Sequence, residues 1–273
     1  MKLSLGVLVR RLILVLFAIW SLFPIYWMLT MSLKRDVDAV AAVPTFLFLP
    51  TLQNYVAVLT ASPVLSFLGN SVIVAAGSTA MGLAVGVPVA YVLARHQFRG
   101  RKDYDLWVLS TRMTPPVAML VPFFLMYRQL GLKDTHLGLM IVHVGLNLAT
   151  IIWVMKGFFM EVPTELEEAA LLDGNSYWGA FWRIILPLAL PGIVAVAILA
   201  FLFSWNEFLF AVVLTDTQVR TAPVGLYTFI GYQEIRWAEL CASAMILLIP
   251  VLLFVLFFQR QLVRGLTFGA VRE

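Results

Sequence analysis

The sequence is poor in the residues that stabilise or equip soluble proteins. Cys241 is the single cysteine among 273 residues, which excludes an intramolecular disulfide framework and a thiolate metal cluster. Charged residues make up only 12% of the chain, about half of the roughly 25% that is usual for soluble proteins. These shortages argue against a water-soluble domain.

Two further absences limit the function. The chain has no glycine-rich loop of the form GxxxxGK[ST], with which many ATPases hold nucleotide phosphates. We therefore expect no ATP hydrolysis by this chain, no cofactor bound to it and no enzymatic activity. No convincing internal repeat is visible, which weakens the case for a secondary transporter built from inverted repeats.

What the chain does have is long apolar segments, since 62% of its residues are hydrophobic. Runs of about 20 apolar residues are typical of helices that span a bilayer. Six such runs predict an all-α integral membrane domain covering residues 1–273, with spans at about 12–33, 71–94, 106–126, 137–155, 188–214 and 242–258. The first run is longer than the 7–15 apolar residues of a signal peptide, so we expect it to be retained.

The basic residues are distributed unevenly between the segments that connect these spans. With the N-terminus inside, 12 lysines and arginines fall on the inner side and 6 on the outer side, and Arg112 lies within a span. Because cytoplasmic loops carry the excess of Lys and Arg, we expect both termini in the cytoplasm. The net charge of +4 follows this topology, so no nucleic-acid partner is predicted.

Residues 161–191 form a polar, acidic segment on the predicted cytoplasmic side. Pro163 and Thr164 favour the start of a helix, with Thr164 and Glu167 spaced as a capping box. Asp173-Gly174 predicts a stop, and Ser176 is placed to cap a second, aromatic helix that ends near Pro187. The segment either lies on the membrane surface or docks onto a partner protein. The acidic first helix favours docking, because the cytoplasmic leaflet is itself anionic.

A few polar residues lie inside the predicted spans. Arg112 precedes Pro115-Pro116, which interrupt the helical hydrogen bonds, and such a costly charge usually faces a cavity or a partner. An Arg112–Glu207 pair is one hypothesis. The candidate translocation-path residues are Arg112, His143, Asn147, Asn206 and Glu207. His143, Asn147 and Asn206 either bind the polar groups of a solute or form hydrogen bonds between helices, and the second interpretation is favoured.

The motifs of the chain resemble those of a known family. The pattern Glu168-Ala169-Ala170, Gly174, Ile184, Leu186-Pro187 matches the EAA loop of ATP-binding-cassette (ABC) importer permeases at every position. The resemblance covers nearly the whole chain and includes Met31-Ser32-Leu33-Lys34, Asn70-Ser71, Ala90-Tyr91-x-Leu93-Ala94-Arg95, Ser204-Trp205-Asn206-Glu207-Phe208 and the tail from Arg264 to Val271. Together they look like the shorter permease of the maltose-type, carbohydrate-uptake importers.

This resemblance implies an assembly and a set of contacts. A second, longer permease pairs with such a chain in the bacterial inner membrane. Two copies of a cytoplasmic ATPase, which bind the ATP and Mg²⁺, lie beneath, and a binding protein delivers sugar from outside. The EAA loop acts as a coupling helix, so the implied docking residues are Glu167, Glu168, Ala169, Ala170, Leu171, Asp173 and Gly174. The tail residues implied to contact the ATPase are Gly265, Thr267, Gly269, Ala270 and Val271.

Two other classes of membrane protein stay open from the residues alone. An ion-coupled secondary carrier needs buried acidic residues as ion sites, and only Glu207 clearly qualifies. A channel or structural subunit is the third class.

Overall fold

The computed structural model describes residues 5–41, 43, 45–231 and 235–266, and its regular structure is helical. Within those residues, the one β-type pairing is an isolated bridge between Ile230 and Ile235. The predicted all-α class is therefore confirmed.

The helices follow one another along the described chain with short connections. In order, they are α1 (Leu5–Ser32), α2 (Asp36–Ala39), α3 (Gln53–Ala61), α4 (Val64–Arg95), α5 (Arg101–Ser110), α6 (Pro116–Gln129), α7 (His136–Glu161), α8 (Thr164–Leu172), α9 (Tyr177–Ala180), α10 (Leu186–Leu188), α11 (Leu190–Trp205), α12 (Leu209–Leu214), α13 (Ala222–Leu226) and α14 (Trp237–Leu266). Short 3-10 turns occupy Thr111–Met113 and Tyr227–Phe229, and a wide π-helical turn occupies Phe181–Ile185.

Four of these helices are long and apolar enough to cross a membrane: α1, α4, α7 and α14. Two further candidates are broken. Arg101–Met113 and Pro116–Gln129 meet at 92°, and Tyr177–Leu188 and Leu190–Trp205 meet at 74°. If each bent pair is one span, the described chain has six, in agreement with the six apolar runs.

The breaks are where the sequence-based spans need correction. The predicted span 106–126 is interrupted at Thr114 and Pro115, which are extended; a residue before proline disfavours the α conformation. The predicted span 188–214 is not one helix, because α11 begins after Ala189 and ends at Trp205, and α12 starts again at Leu209. Hydropathy detects the apolar run but not such interruptions.

By its contacts the described part of the chain divides into two compact units, one within residues 5–65 and 225–252 and the other within residues 66–224 and 253–266. In the first unit, side chains of the following segment stabilise the end of α1. The Asn54 amide donates hydrogen bonds to the carbonyl oxygens of Ser32 and Lys34, at 2.8 and 2.7 Å. The Lys34 ammonium, in a side chain only 2% exposed, lies 5.0 Å from the ring of Trp27 and 5.2 Å from that of Phe48. Cation–π attraction thus offsets part of the cost of burying this charge.

The second unit is built around close packing of α4, α7 and α11, whose apolar residues form one core with Phe181 and Ile185. Gly86 allows α4 to approach α7 closely. A Cβ atom at Gly86 would lie 2.7 Å from Cγ2 of Ile151, closer than side chains tolerate. This position therefore requires glycine for packing rather than for flexibility.

In the same unit, Asp134 organises the connections between helices. Its carboxylate accepts hydrogen bonds from the backbone N–H groups of Asp216, Thr217, Gln218 and Val219, at 3.0 to 3.3 Å. The Lys133 ammonium also binds the Asp216 carboxylate at 2.7 Å. The α6–α7 connection is thereby fixed to the segment that follows α12.

Candidate functional site

The helix α8 has two sharply different faces. Glu165, Glu168, Ala169 and Leu172 recur at helical spacing i, i+3, i+4 and i+7, which places them on one side, and all four are exposed. We call these four residues the exposed face of α8. Leu172 is 89% exposed, which is unusual for a large apolar side chain outside a membrane span. An apolar side chain among acidic ones, held on a rigid helix, is suited to binding another protein.

Burial separates the predicted docking residues into two groups. Glu168, Ala169, Asp173 and Gly174 are exposed, and Leu171 is half-buried. The other two, Glu167 and Ala170, are buried. The side chains of these two residues face the interior of the chain, and the docking role predicted for them stays a prediction. Leu172 lies within the predicted docking stretch 167–174, and its helical spacing from Glu165 and Glu168 places it on the exposed face.

Glu167 is buried because its carboxylate binds α4. The Tyr91 hydroxyl donates a 2.5 Å hydrogen bond to Oε1 of Glu167, and Nε of Arg95 lies 3.4 Å from Oε2. The second contact is an ion pair without the alignment of a hydrogen bond, because that Nε has no hydrogen-bond acceptor among the described residues. The predicted capping box is also wrong: α8 begins at Thr164 without a side-chain cap, since Glu167 points into the protein instead.

The turn after α8 forms as the sequence predicts. Gly174 has a φ of +87°, a left-handed conformation that glycine adopts without strain. The backbone N–H and side-chain amide of Asn175 both donate to the carbonyl oxygen of Ala170, at 3.0 and 3.1 Å. Ser176 then caps α9 by accepting a 3.1 Å hydrogen bond from the Gly179 N–H. The turn is thus rigid, which fixes the direction of α8.

Residues 177–188, which form the second helix of the segment 161–191, place some of their aromatic side chains in the core and others on the surface. Phe181 and Ile185 are fully buried, whereas Tyr177, Trp178 and Trp182 are more than half exposed. The buried Phe181 ring lies 4.7 Å from that of Tyr91. The helix passes Pro187, its predicted end, and continues to Leu188 before it bends at Ala189. This half of the segment is therefore anchored in the same core as α4.

The predicted tail contacts lie mostly beyond the part of the chain that the structure describes. Gly265 falls in α14, one residue before its end at Leu266. Thr267, Gly269, Ala270 and Val271 lie outside the described residues, so the role of the tail stays a prediction.

The polar residues of the spans form a buried cluster in the second unit. Glu207 accepts hydrogen bonds from the backbone N–H groups of Phe210 and Ala211, at 2.8 and 3.0 Å, and so caps α12. Nε2 of the fully buried His143 lies 3.3 Å from the same carboxylate, at ion-pair distance but without hydrogen-bond alignment. The Asn147 amide donates to Ser204 Oγ at 3.0 Å. These contacts favour helix-to-helix roles for His143 and Asn147.

The other two candidate path residues are placed differently. The Arg112 guanidinium lies 5.8 Å from the ring of Phe203, and Glu207 is paired with His143. The hypothesised Arg112–Glu207 pair is thus not formed in this structure. Asn206 is exposed and donates from its amide to the Leu202 carbonyl oxygen at 2.8 Å. Arg112 and Asn206 are therefore the exposed members of the predicted set.

The chain is similar to known proteins over nearly its whole length. The trehalose/maltose transport system permease protein MalG of Thermococcus litoralis is 36% identical over 94% of this chain and 94% of its own length. The trehalose transport system permease protein SugB of Mycobacterium tuberculosis is 35% identical over 93% of each chain. A chain of a bacterial ABC transporter that imports the acidic polysaccharide alginate superposes with a TM-score of 0.78 at 24% identity, covering 93% of this chain and 95% of that chain.

Residues 82–268 match the family described as binding-protein-dependent transport system inner membrane component. This match covers more than half of the chain and includes α8, the turn at Gly174 and the cluster around Glu207. Nothing in the comparisons supports a secondary carrier or a channel, and the relatives are named as transport permeases rather than enzymes. The chain therefore belongs to the binding-protein-dependent inner-membrane component family and is a multi-pass permease subunit of an ABC importer.

Proposed function

We propose that this permease imports a sugar and that the exposed face of α8 docks onto a cytoplasmic ATPase. The observation that carries the docking proposal is Leu172, 89% exposed between acidic residues on a helix with a rigid end. The names of the relatives, which transport trehalose or maltose, support a saccharide as substrate. Disaccharides and related glycosides are the proposed substrate class.

The chemistry of this face defines the partner surface that it fits. Leu172 requires an apolar pocket on the partner, because burying a leucine side chain contributes about 2 kcal/mol to binding. Glu165, Glu168 and Asp173 surround it with negative charge and require arginine or lysine side chains opposite. A cleft with an apolar floor and a basic rim on the ATPase satisfies both requirements. Glu167 and Ala170 make no contact with the partner in this proposal.

The rest of the assembly follows from what one such chain lacks. It has no phosphate-binding loop, so a separate ATPase has to supply the hydrolysis, and we propose two copies that dimerise beneath the membrane. A second, longer permease would complete the translocation pathway, with this chain forming half of it. A binding protein would deliver the sugar from outside. The excess of basic residues on one side supports cytoplasmic termini and a cytoplasmic loop 161–191.

The decisive variant is Leu172→Asp, tested in the complex purified from cells that express the chain with the proteins of its neighbouring genes. Loss of about 2 kcal/mol of apolar burial predicts a fall of roughly thirtyfold in affinity for the ATPase. Co-purification of the ATPase and binding-protein-stimulated hydrolysis should both be lost. Leu130→Asp is the control, because Leu130 is another exposed leucine, 63% exposed against 89% for Leu172, in a loop assigned to the opposite side.

Two outcomes would contradict the proposal. If Leu172→Asp retains the ATPase and its stimulated hydrolysis as well as Leu130→Asp does, the exposed face of α8 is not the docking surface. If the purified chain transports sugar with no ATPase present, the assembly itself is wrong.

A further inference from the structure

We infer that Glu167, Tyr91 and Arg95 form a latch through which movement of α8 is transmitted to α4. We call these three residues the Glu167 latch. The inference rests on the proposed function, because it assumes that a partner ATPase moves α8. It assigns to Glu167 an internal role that differs from docking.

The burial of the latch is the first argument. The Glu167 side chain is 9% exposed and that of Arg95 is 7% exposed. A carboxylate removed from water requires a partner, because an isolated buried charge is costly. Glu167 has two: the Tyr91 hydroxyl at 2.5 Å and the Arg95 guanidinium at 3.4 Å. Each carboxylate oxygen is thus held by a different side chain of the same helix.

These contacts connect α4 directly to α8. Tyr91 and Arg95 are four residues apart and lie on one face of the last turns of α4. Arg95 also donates a hydrogen bond to the Val162 carbonyl oxygen at 2.5 Å, immediately before α8 begins. The end of α4 therefore holds both the entry to α8 and its middle, so that a displacement of α8 has to break these bonds or carry α4 with it.

The surroundings of the latch leave few other connections. Across the described residues, no other hydrogen bond or ion pair joins α8 to a membrane-spanning helix. The apolar contribution of α8 is small, because Ala170 is its buried apolar residue. The Tyr91 ring, in contrast, packs against Phe159 of α7 and Phe181 of the second segment helix, with centroids at 5.7 and 4.7 Å. Tyr91 is thus the point where α4, α7 and the segment meet.

The two neighbouring glutamates, Glu167 and Glu168, have different roles in this proposal. Glu168 faces outward and belongs to the docking surface, whereas Glu167 faces inward and binds α4. Loss of Glu168 is expected to weaken attachment of the ATPase. Loss of the latch is expected to leave the ATPase attached and hydrolysing but to disconnect that hydrolysis from transport.

The test is Tyr91→Phe in the complete reconstituted importer, with both permeases, the ATPase and the binding protein. Phenylalanine keeps the ring contacts and removes the hydroxyl alone. We expect binding-protein-stimulated hydrolysis to persist, while the amount of sugar transported per ATP falls at least about tenfold, the lower limit for loss of one hydrogen bond to a charged group. Glu167→Gln should lower the same ratio. Arg95→Lys, which keeps the charge, should preserve the ratio better than Arg95→Gln.

Tyr177→Phe is the matched control, because Tyr177 is an exposed tyrosine of the same segment and should leave the ratio unchanged. A purely structural role for Tyr91 predicts instead a lower melting temperature of the complex and a parallel fall in hydrolysis and transport. Equal transport per ATP in wild type and Tyr91→Phe, or such a parallel fall, would overturn the latch alone. A wild-type complex with no stimulated hydrolysis would overturn the proposed function and the latch with it.

Discussion

Asp134 has a backbone φ of 56°, a left-handed conformation that few residues other than glycine, asparagine and aspartate adopt. Burial raises the pKa of its carboxyl. The hydrogen bonds from the N–H groups of residues 216–219 lower the pKa by more than burial raises it, so that it lies below its usual value. A carboxyl with a depressed pKa stabilises the fold above the pKa of the unfolded chain. That stability is lost as the pH falls through the folded-state pKa.

Asp134→Asn keeps a side chain that tolerates this conformation and removes the charge. Hydrogen bonds to a charged acceptor are stronger than those to a neutral one, so we expect a loss of about 1 kcal/mol at neutral pH. The melting temperature of the purified protein in detergent, followed between about pH 7 and about pH 3, measures the effect. The difference between wild type and variant should shrink towards acid pH. A difference independent of pH would contradict the role of the charge, and Asp103→Asn, at an exposed residue, is the control.

Single residues also show which features the sequence can predict and which it cannot. Gly174 and Ser176 were predicted correctly, because a helix stop and a cap depend on residues adjacent in the chain. Glu167 was assigned to the docking surface because it adjoins the EAA motif. Its partners Tyr91 and Arg95 are more than 70 residues away along the chain. No local pattern identifies such a contact.

At the scale of elements, the approach of α4 to α7 depends on Gly86. Gly86→Ala places a Cβ atom 2.7 Å from Cγ2 of Ile151, a methyl group bonded directly to the branched Cβ and therefore unable to move far from the backbone. Overpacking of this kind costs about 1–3 kcal/mol. We expect a lower melting temperature for this variant. Gly69→Ala in the same helix should leave the melting temperature unchanged, because the added atom meets nothing within 4 Å.

A double-mutant cycle tests the physical reason. Ile151→Ala removes the atom that clashes, so Gly86→Ala should cost less in the Ile151→Ala background than in wild type. Strictly additive losses would contradict the clash and indicate that Gly86 matters for another reason.

Elements differ in how far the sequence predicts them. The continuous spans α1, α4, α7 and α14 follow from apolar length, because hydropathy reports burial in lipid. The break near Pro115 was signalled by two consecutive prolines. The break after Trp205 was not, because it is stabilised by Glu207 capping α12 and contacting His143. That arrangement requires two helices to be packed before it can be recognised.

At the scale of the whole molecule, orientation in the membrane decides whether loop 161–191 can meet a cytoplasmic ATPase. The argument for cytoplasmic termini is the distribution of lysine and arginine, 12 on one side and 6 on the other. Because translocation of basic segments is disfavoured, the α4–α5 connection, with Arg99, and the start of α5, with Arg101 and Lys102, should lie inside. The α6–α7 connection should lie outside.

Single cysteines in a Cys241→Ser background make this orientation measurable. Lys102→Cys and Leu130→Cys place a thiol at exposed positions, the first at the start of α5 and the second in the α6–α7 connection. A membrane-impermeant maleimide applied to intact spheroplasts should label Leu130→Cys, and it should label Lys102→Cys only after the membrane is permeabilised. Cys241→Ser alone is the control for background labelling. The reverse pattern would place α8 outside the cell, where no ATPase is available, and would exclude docking of its exposed face even if the six spans are correct.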